Sequence, residues 1–271
     1  MLELIRSTGS STASSYTVPA VASVAQGREQ WIAFVGKLSL EKGVHCLIAA
    51  APEIIARVPQ ARLLLIGDGV ARAHLVRMRD ALAKGDLDAA ATAMRRASES
   101  SPEHYAEWVA EYWAALDLDR YRRQASAADL PQRVLFAGYR TPPQVASLIK
   151  HTDVIVIPSL IKEAFPLVSV EALCSGLMFV APYVGGLAPI LDRVAAELGV
   201  CGALARVDYR PDRMICELIE RVSALLDYTA DPARHTELAS LCHRFALKHF
   251  DWANIVSRIE SLYVSALYGH M

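Results

Sequence analysis

The chain has 271 residues, 53% of them hydrophobic, and a formal net charge of -1 at pH 7. This length allows one large domain or two small ones. The balanced charge lacks the basic excess typical of nucleic-acid-binding proteins, and no apolar run reaches the roughly 18 to 20 residues of a membrane-spanning helix. We therefore expect a soluble protein without a nucleic-acid partner or an integral membrane span.

Residues 1–29 are rich in Ser, Thr and Ala without periodicity, which predicts a flexible leader or linker. They lack the charged start and continuous apolar core of a secretory signal. The five cysteines are scattered without the spacing of metal or redox motifs, and the eight histidines form no ligand pair at helical spacing. We expect a cytoplasmic protein with reduced thiols and no protein-bound metal.

From residue 30 onward, apolar strands alternate with helices. The segment WIAFVG predicts a first strand, and a loop and an amphipathic helix follow it. Four more apolar segments predict strands, namely ARLLLIGDG, RVLFAGY, HTDVIVIPS and LMFVAPYVGG. Such an alternation predicts an α/β fold with a doubly wound parallel sheet over residues 30–271. Three further helices are expected after residue 208, around 210–226, 232–249 and 252–268.

A segment of about residues 85–132 interrupts this repeat. Its Ala, Glu and Arg content predicts a helical insertion of two helices. The aromatic side chains of Tyr105, Trp108, Tyr112 and Trp113 are typical of a helix packing face. A role as a lid or as a partner-binding surface is the alternative.

The loop after the first strand carries two lysines, Lys37 and Lys42, and it leads into a helix. Ligands of open parallel sheets bind beyond the carboxyl ends of the strands. Two ammonium groups together with the amides of a helix start favour an anion, and a diphosphate is the natural occupant. Solvated surface charges explain the same residues equally well.

Two carboxylates, Glu163 and Glu171, are separated by seven residues just beyond the fourth strand. Pro166 suits the start of a helix, which leaves Glu163 in the loop and Glu171 beyond the first helical turn. Carboxylates of this kind hold sugar hydroxyls by hydrogen bonds. Glu171 stands among apolar residues, where an unpaired charge is costly, and this favours a functional role.

Glycines end the other strands. Gly185 and Gly186 predict a turn that exposes backbone amides to a phosphate, although a plain turn is the simpler interpretation. The Gly67-Asp68-Gly69 and Gly138-Tyr139-Arg140 segments could form the floor of a nucleotide pocket. Tyr139 and Arg140 could contact the base, and an exposed turn explains them equally well.

In chain order, VGKLSLEKGVHCLIAA, LLLIGDG, RVLFAGY, DVIVIPSLIKEAFPLVSVEALCSG and VAPYVGG resemble the C-terminal domain of retaining glycosyltransferases of family 4, which have the GT-B fold. The resemblance extends from about residue 31 to about residue 263 and is interrupted by the insertion. It implies a Rossmann-like domain that binds a nucleoside diphosphate sugar and takes part in hexose transfer with retention of configuration.

The resemblance also implies roles for individual residues. Lys37 and Lys42 fall on the phosphate-binding positions, Glu163 on the sugar-contacting position and Glu171 on the ribose-binding position. The predicted site has Lys37, Lys42 and Glu163 as catalytic residues and, as nucleotide-sugar-binding residues, Gly36, Tyr139, Arg140, Phe165, Leu167, Glu171, Gly185 and Gly186.

Three departures from the family pattern matter. Position 37 is lysine where the family mostly has arginine, which loses the planar fork that grips phosphate. The glycine pair is followed by Leu187 and Ala188 before Pro189, without the acid of the family pattern GG-x-P-E. Only about 30 residues precede the first strand, where the family has an acceptor-binding domain. We therefore expect a separate N-terminal domain or partner subunit.

No Asp-x-Asp pair is present. Two lysines can stabilise a diphosphate without a divalent cation, so the sequence predicts a metal-independent glycosyltransferase whose only small-molecule requirement is the nucleotide-sugar donor. The alternatives are a non-catalytic nucleotide-binding or scaffold subunit, or a phosphorylase or epimerase with the GT-B fold. A dehydrogenase is disfavoured because no G-x-G-x-x-G follows the first strand.

Overall fold

The computed structural model describes residues 29–99 and 104–268. The predicted leader lies outside these residues except for Glu29. The described residues form one parallel sheet of six strands in the order β3-β2-β1-β4-β5-β6. The strands are β1 (Gln30–Val35), β2 (Ala61–Ile66), β3 (Val134–Gly138), β4 (Val154–Val156), β5 (Met178–Pro182) and β6 (Arg206–Val207).

Helices cover both faces of this sheet in the described part of the chain. They are α1 (Val44–Arg57), α2 (Arg72–Leu82), α3 (Leu87–Ser98), α4 (Glu107–Ala114), α5 (Leu118–Ala127), α6 (Leu130–Arg133), α7 (Pro142–Ile149), α8 (Leu167–Cys174), α9 (Leu187–Glu197), α10 (Gly199–Leu204), α11 (Met214–Thr229), α12 (Pro232–Phe250) and α13 (Trp252–Tyr268). The predicted doubly wound fold is thus confirmed.

The central strands are buried because they are apolar on both faces. Ile32 of β1 pairs with Leu63 of β2 on one side and with Val154 of β4 on the other, and all three side chains are fully buried. A central parallel strand packs against a layer of helices on each face. Its sequence is therefore continuously apolar and does not alternate between apolar and polar residues.

The insertion between β2 and β3 contains more helices than expected. Where two were predicted, the described residues form α3, α4, α5 and the short α6. Tyr112 and Trp113 are buried, and the hydroxyl of the buried Tyr121 donates to the carbonyl of Ala49 in α1 at 2.8 Å. The aromatic stripe therefore packs the insertion against the helix that follows β1.

No helix in the described ranges is both long enough and apolar enough to cross a membrane.

The last three helices start within four residues of their predicted positions. One of them, α12, is capped by Asp231, whose carboxylate accepts from the amides of Ala233 and Arg234.

Candidate functional site

The strand order reverses between β1 and β4, which are neighbours in the sheet although two strands separate them in sequence. The connection after β1 runs to one side of the sheet, and the connection after β4 runs to the other. This leaves a crevice beyond the carboxyl ends of β1 and β4, where open α/β sheets bind ligands. The loops that flank this crevice carry Lys37, Lys42 and Glu163.

The two flanking loops are in close contact. The loop after β1 ends in a single 3-10 turn, Leu40–Lys42, closed by Gly43 with φ +69°. A Cβ atom at Gly43 would lie 1.7 Å from the carbonyl oxygen of Pro158, so only glycine fits this backbone. The amide of Leu160 donates to the carbonyl of Glu41 at 2.9 Å. These contacts hold the loop after β1 against the loop after β4.

An ion pair joins the two loops. Lys42 Nζ lies 3.1 Å from Glu163 Oε1, and the two side chains are 27% and 18% exposed. Lys37 is more exposed, and its Nζ lies 3.5 Å from Glu41 Oε1. The structure therefore brings the three predicted catalytic residues into one region. The sequence did not predict that two of them pair with each other, so an anion that binds Lys42 must compete with Glu163.

Helix α8 follows Glu163 and begins after Pro166, as predicted. Ser169 and Leu173 face the core, whereas Glu171 is exposed in the second turn. The inference that an apolar environment makes the charge of Glu171 costly is therefore wrong, because its neighbours in sequence point to the opposite face of the helix. Its assignment to the ribose stays a prediction. Phe165 and Leu167, at the start of the helix, are also exposed.

The glycine pair after β5 is packed rather than open. The amide of Gly186 donates to the carbonyl of Glu163 at 2.7 Å, and a Cβ atom there would lie 2.0 Å from the carbonyl oxygen of Ala164. Gly185 has φ +53° and lies against the same backbone. The Gly186 amide is thus already used within the protein, and close packing explains both glycines. Their expected contact with phosphate stays a prediction.

Three glycines at the ends of β1, β2 and β3 form a continuous backbone surface. The carbonyl oxygen of Gly36 would lie 1.8 Å from a Cβ atom at Gly67, and the amide of Gly67 donates to the carbonyl of Gly138 at 3.0 Å. Side chains are excluded from these close contacts, so a ligand there would meet mainly backbone.

Beyond this surface lies a charged cluster that was only partly predicted. Arg140 Nη1 and Arg72 Nη1 lie 3.7 and 3.8 Å from the position of a Cβ atom on Gly138, and Arg72 pairs with Asp68 at 3.3 Å. Burial and the charge of Arg72 lower the pKa of Arg140. Tyr139, in contrast, is 71% exposed. Arg72 was missed because an Asp and an Arg four residues apart also describe an ordinary surface ion pair.

No group of three or more His, Cys, Asp or Glu side chains that could hold a metal ion occurs within residues 29–99 and 104–268. Metal independence stays a prediction.

The chain is similar to known glycosyltransferases. A family model described as glycosyl transferases group 1 matches residues 116–203. A D-inositol 3-phosphate glycosyltransferase of Corynebacterium diphtheriae is 30% identical over 235 residues, which are 87% of this chain and 42% of the relative. The chain thus spans less than half the length of this relative.

Solved structures share the fold. The C-terminal domain of the glycosyl transferase group 1 family protein LpcC from Francisella tularensis superposes with a TM-score of 0.53 at 18% identity, over 83% of this chain and 88% of that domain. The chain has the fold of a GT-B C-terminal domain. Anabaena Alr3699/HepE in complex with UDP gives a TM-score of 0.52 at 22% identity, over 88% of this chain and 49% of HepE. The GT-B domain described here therefore matches one half of a longer protein.

Proposed function

We propose that this GT-B domain is the donor-binding half of a retaining glycosyltransferase of family 4, which transfers a hexose from a nucleoside diphosphate sugar. The observation that carries the proposal is the Lys42–Glu163 pair at the carboxyl ends of β1 and β4. In this proposal Lys42 is the cation for the diphosphate and Glu163 is the carboxylate for the sugar. The two groups lie 3.1 Å apart, at the edge of the sheet where such sheets bind nucleotides.

The proposed chemistry follows from where charge develops. As the bond between the anomeric carbon and the diphosphate oxygen breaks, negative charge grows on the leaving diphosphate. Lys37 and Lys42 stabilise this charge, and the positive end of the dipole of α1, which begins two residues after Lys42, adds to their effect. Glu163, released from Lys42 when the diphosphate takes its place, accepts hydrogen bonds from the hydroxyls of the hexose and orients the ring. Two lysines supply the positive charge that a divalent cation supplies elsewhere, so we propose that no metal is required.

The nucleoside lies towards α8 and the arginine cluster in this proposal. Glu171 accepts hydrogen bonds from the ribose hydroxyls, and the backbone around Phe165 and Leu167 approaches the diphosphate and the sugar. Tyr139 and Arg140 contact the base, with Arg72 beside them. UDP-glucose is the first donor to test, because structures of HepE in complex with UDP and with UDP-glucose have this fold.

The acceptor site belongs to a second domain in this proposal, since the matched relative and HepE are about twice as long as the part that this chain matches. Helix α13 offers a docking face for it. Five apolar side chains lie within an arc of about 80° on this helix and are 43% to 76% exposed: Trp252, Val256, Ile259, Tyr263 and Leu267. Such a seam is typical of a helix that packs against a partner.

The position of α13 favours an acceptor-side domain as the occupant of this seam. The helix begins two residues after Phe250, whose ring lies 6.1 Å from that of Phe165 beside the candidate site. Its charged residues are Arg258 and Glu260, which cancel and give no attraction to anionic lipid. A domain that docks on the seam would therefore begin near Phe165, two residues after Glu163.

Calorimetry with UDP, GDP and ADP tests the donor site on the 271-residue chain. We expect one nucleotide to bind and to be displaced by its nucleotide sugar. Binding of none of the three, or equal binding of all three with no response to substitution of Lys42, would remove the basis of the proposal.

A further inference from the structure

The helical insertion contacts the loops of the candidate site through Tyr209, a residue that the sequence did not single out. Tyr209 follows β6 and is half-buried. Its hydroxyl donates to the carbonyl of Leu160 at 2.5 Å. Leu160 is buried in the loop after β4, three residues before Glu163, and its amide donates to Glu41 in the loop after β1. One residue thus links Tyr209 to both loops of the site.

The other side of Tyr209 contacts the insertion. Its ring lies 5.0 Å from the ring of Trp108, between centroids and at a tilt of 45°. Trp108 is on α4, where it is partly buried against the core. Tilted aromatic pairs at this distance add stabilisation beyond the area that they bury. The ring of Tyr209 is therefore fixed by α4 while its hydroxyl holds the main chain of Leu160.

A second contact joins the insertion to the loop after β1. Nε2 of His45 lies 2.8 Å from the carbonyl oxygen of Tyr105, and His45 is fully buried one residue into α1. Because a carbonyl only accepts, Nε2 carries the proton. His45 stands three residues after Lys42, so the insertion is attached directly behind the lysine loop as well as to the loop that carries Glu163.

We propose that Tyr209 is a positioning residue, through which helix α4 holds the loops after β1 and β4 in the arrangement that binds the diphosphate. The inference rests on the proposed function for the identity of the ligand. The contacts connect the insertion to the loops that carry the lysines and Glu163. A site residue acts efficiently only when neighbouring contacts fix its geometry.

A matched pair of substitutions tests the proposal. Tyr209→Phe removes the hydroxyl that holds Leu160. Tyr121→Phe removes an equivalent hydroxyl, which donates to the carbonyl of Ala49 at 2.8 Å between the insertion and the body of α1. Both variants lose a tyrosine–carbonyl hydrogen bond, and we expect both to lower Tm. Only Tyr209→Phe should weaken UDP binding, on the order of tenfold, when Kd is measured well below Tm.

Two further measurements separate positioning from general stability. Tyr209→Phe should have little effect in a Lys42→Gln background, because both changes act on one loop arrangement. Trp108→Leu should weaken UDP binding in the same direction if α4 acts through Tyr209. Equal UDP affinity of Tyr209→Phe and the wild-type protein, or equal losses in Tyr209→Phe and Tyr121→Phe, would overturn the proposal.

Hydrogen exchange of the backbone amides gives a readout that needs no ligand. Tyr209→Phe should speed exchange in residues 38–43 and 159–163, whereas Tyr121→Phe should not. If the wild-type protein binds no UDP, the proposed function fails while this comparison still decides the positioning role. Unchanged exchange in both segments would refute that role whatever the ligand is.

Discussion

Replacement of the two members of the Lys42–Glu163 pair should change nucleotide affinity in opposite directions. Lys42→Gln removes the cation that we assign to the diphosphate. Glu163→Gln removes the carboxylate with which the diphosphate must compete for Lys42, and it keeps the size of the side chain. UDP should therefore bind more weakly to the first variant and more tightly to the second.

The expected magnitudes follow from the geometry. Two unit charges 3.1 Å apart attract by about 5 kcal/mol at an effective dielectric constant of about 20. Both side chains are partly exposed, so desolvation, side-chain ordering and screening reduce the net value of the pair to about 1 kcal/mol. Release of Lys42 in Glu163→Gln should thus raise UDP affinity about fivefold. Loss of a hydrogen bond from a lysine to a charged diphosphate costs about 1.5 to 3 kcal/mol, so Lys42→Gln should weaken UDP binding about 10- to 160-fold.

Calorimetry with UDP and with UDP-glucose measures both effects. The Glu163→Gln variant should no longer bind UDP-glucose more tightly than UDP, because it lacks the carboxylate that we assign to the hexose. Lys84→Gln is the charge-matched control, since Lys84 is exposed near the end of α2. If Glu163→Gln weakens UDP binding as much as Lys42→Gln does, the reasoning is refuted, because the pair would then act only as a structural unit.

Three other predictions follow from the same structure. Glu171→Ala should weaken UDP binding about tenfold and the binding of 2′-deoxy-UDP less, because only the 3′-hydroxyl remains to be lost as a partner, and Tm should stay nearly unchanged because Glu171 is exposed; equal losses for both nucleotides would contradict this. Burial lowers the pKa of His45 from 6.5 to about 4. Between these pH values the unfolded chain is protonated at His45 and the folded chain is not, so stability is lost as the pH falls from about 6.5 towards about 4. Urea unfolding at about pH 7.5 and about pH 5 should show that the free energy of unfolding falls by about 2 kcal/mol more in the wild-type protein than in His45→Gln. The glutamine keeps a donor towards the Tyr105 carbonyl. An equal fall in both proteins would contradict this. Tyr263→Glu on the α13 seam should abolish capture of the part of the C. diphtheriae relative that this chain does not match, expressed as a separate polypeptide, whereas Ser261→Glu should not. Unchanged capture, or a seam that mediates only self-association in ultracentrifugation, would exclude the proposed partner.

The fold could be predicted from sequence because the central strands are almost continuously apolar. Buried parallel strands such as β2, whose six residues are all buried, differ clearly from amphipathic helices. The short β6 was missed, since two residues carry no periodicity. The number of helices in the insertion was underestimated because its breaks depend on caps such as Asp86 and Asp117, which also occur within helices.

The candidate site could be located from sequence but not described in detail. Lys42 and Glu163 were identified by the loops that carry them, and the topology of the sheet brings these loops together. Three details were not predicted: the two residues pair, Glu171 is exposed, and the Gly186 amide donates to the carbonyl of Glu163. They depend on side-chain directions and on close contacts between residues far apart in sequence. Tyr209 belongs to no motif, and only the structure connects it to the site.

The most direct test of the central claim is a crystal structure of this chain with UDP-glucose. In that structure the diphosphate should lie within hydrogen-bonding distance of Lys42 Nζ, beyond the carboxyl ends of β1 and β4, and the hexose should lie towards Glu163. A nucleotide bound elsewhere, for example in the cavity of about 360 Å³ that residues of α3 and α4 line, would contradict it.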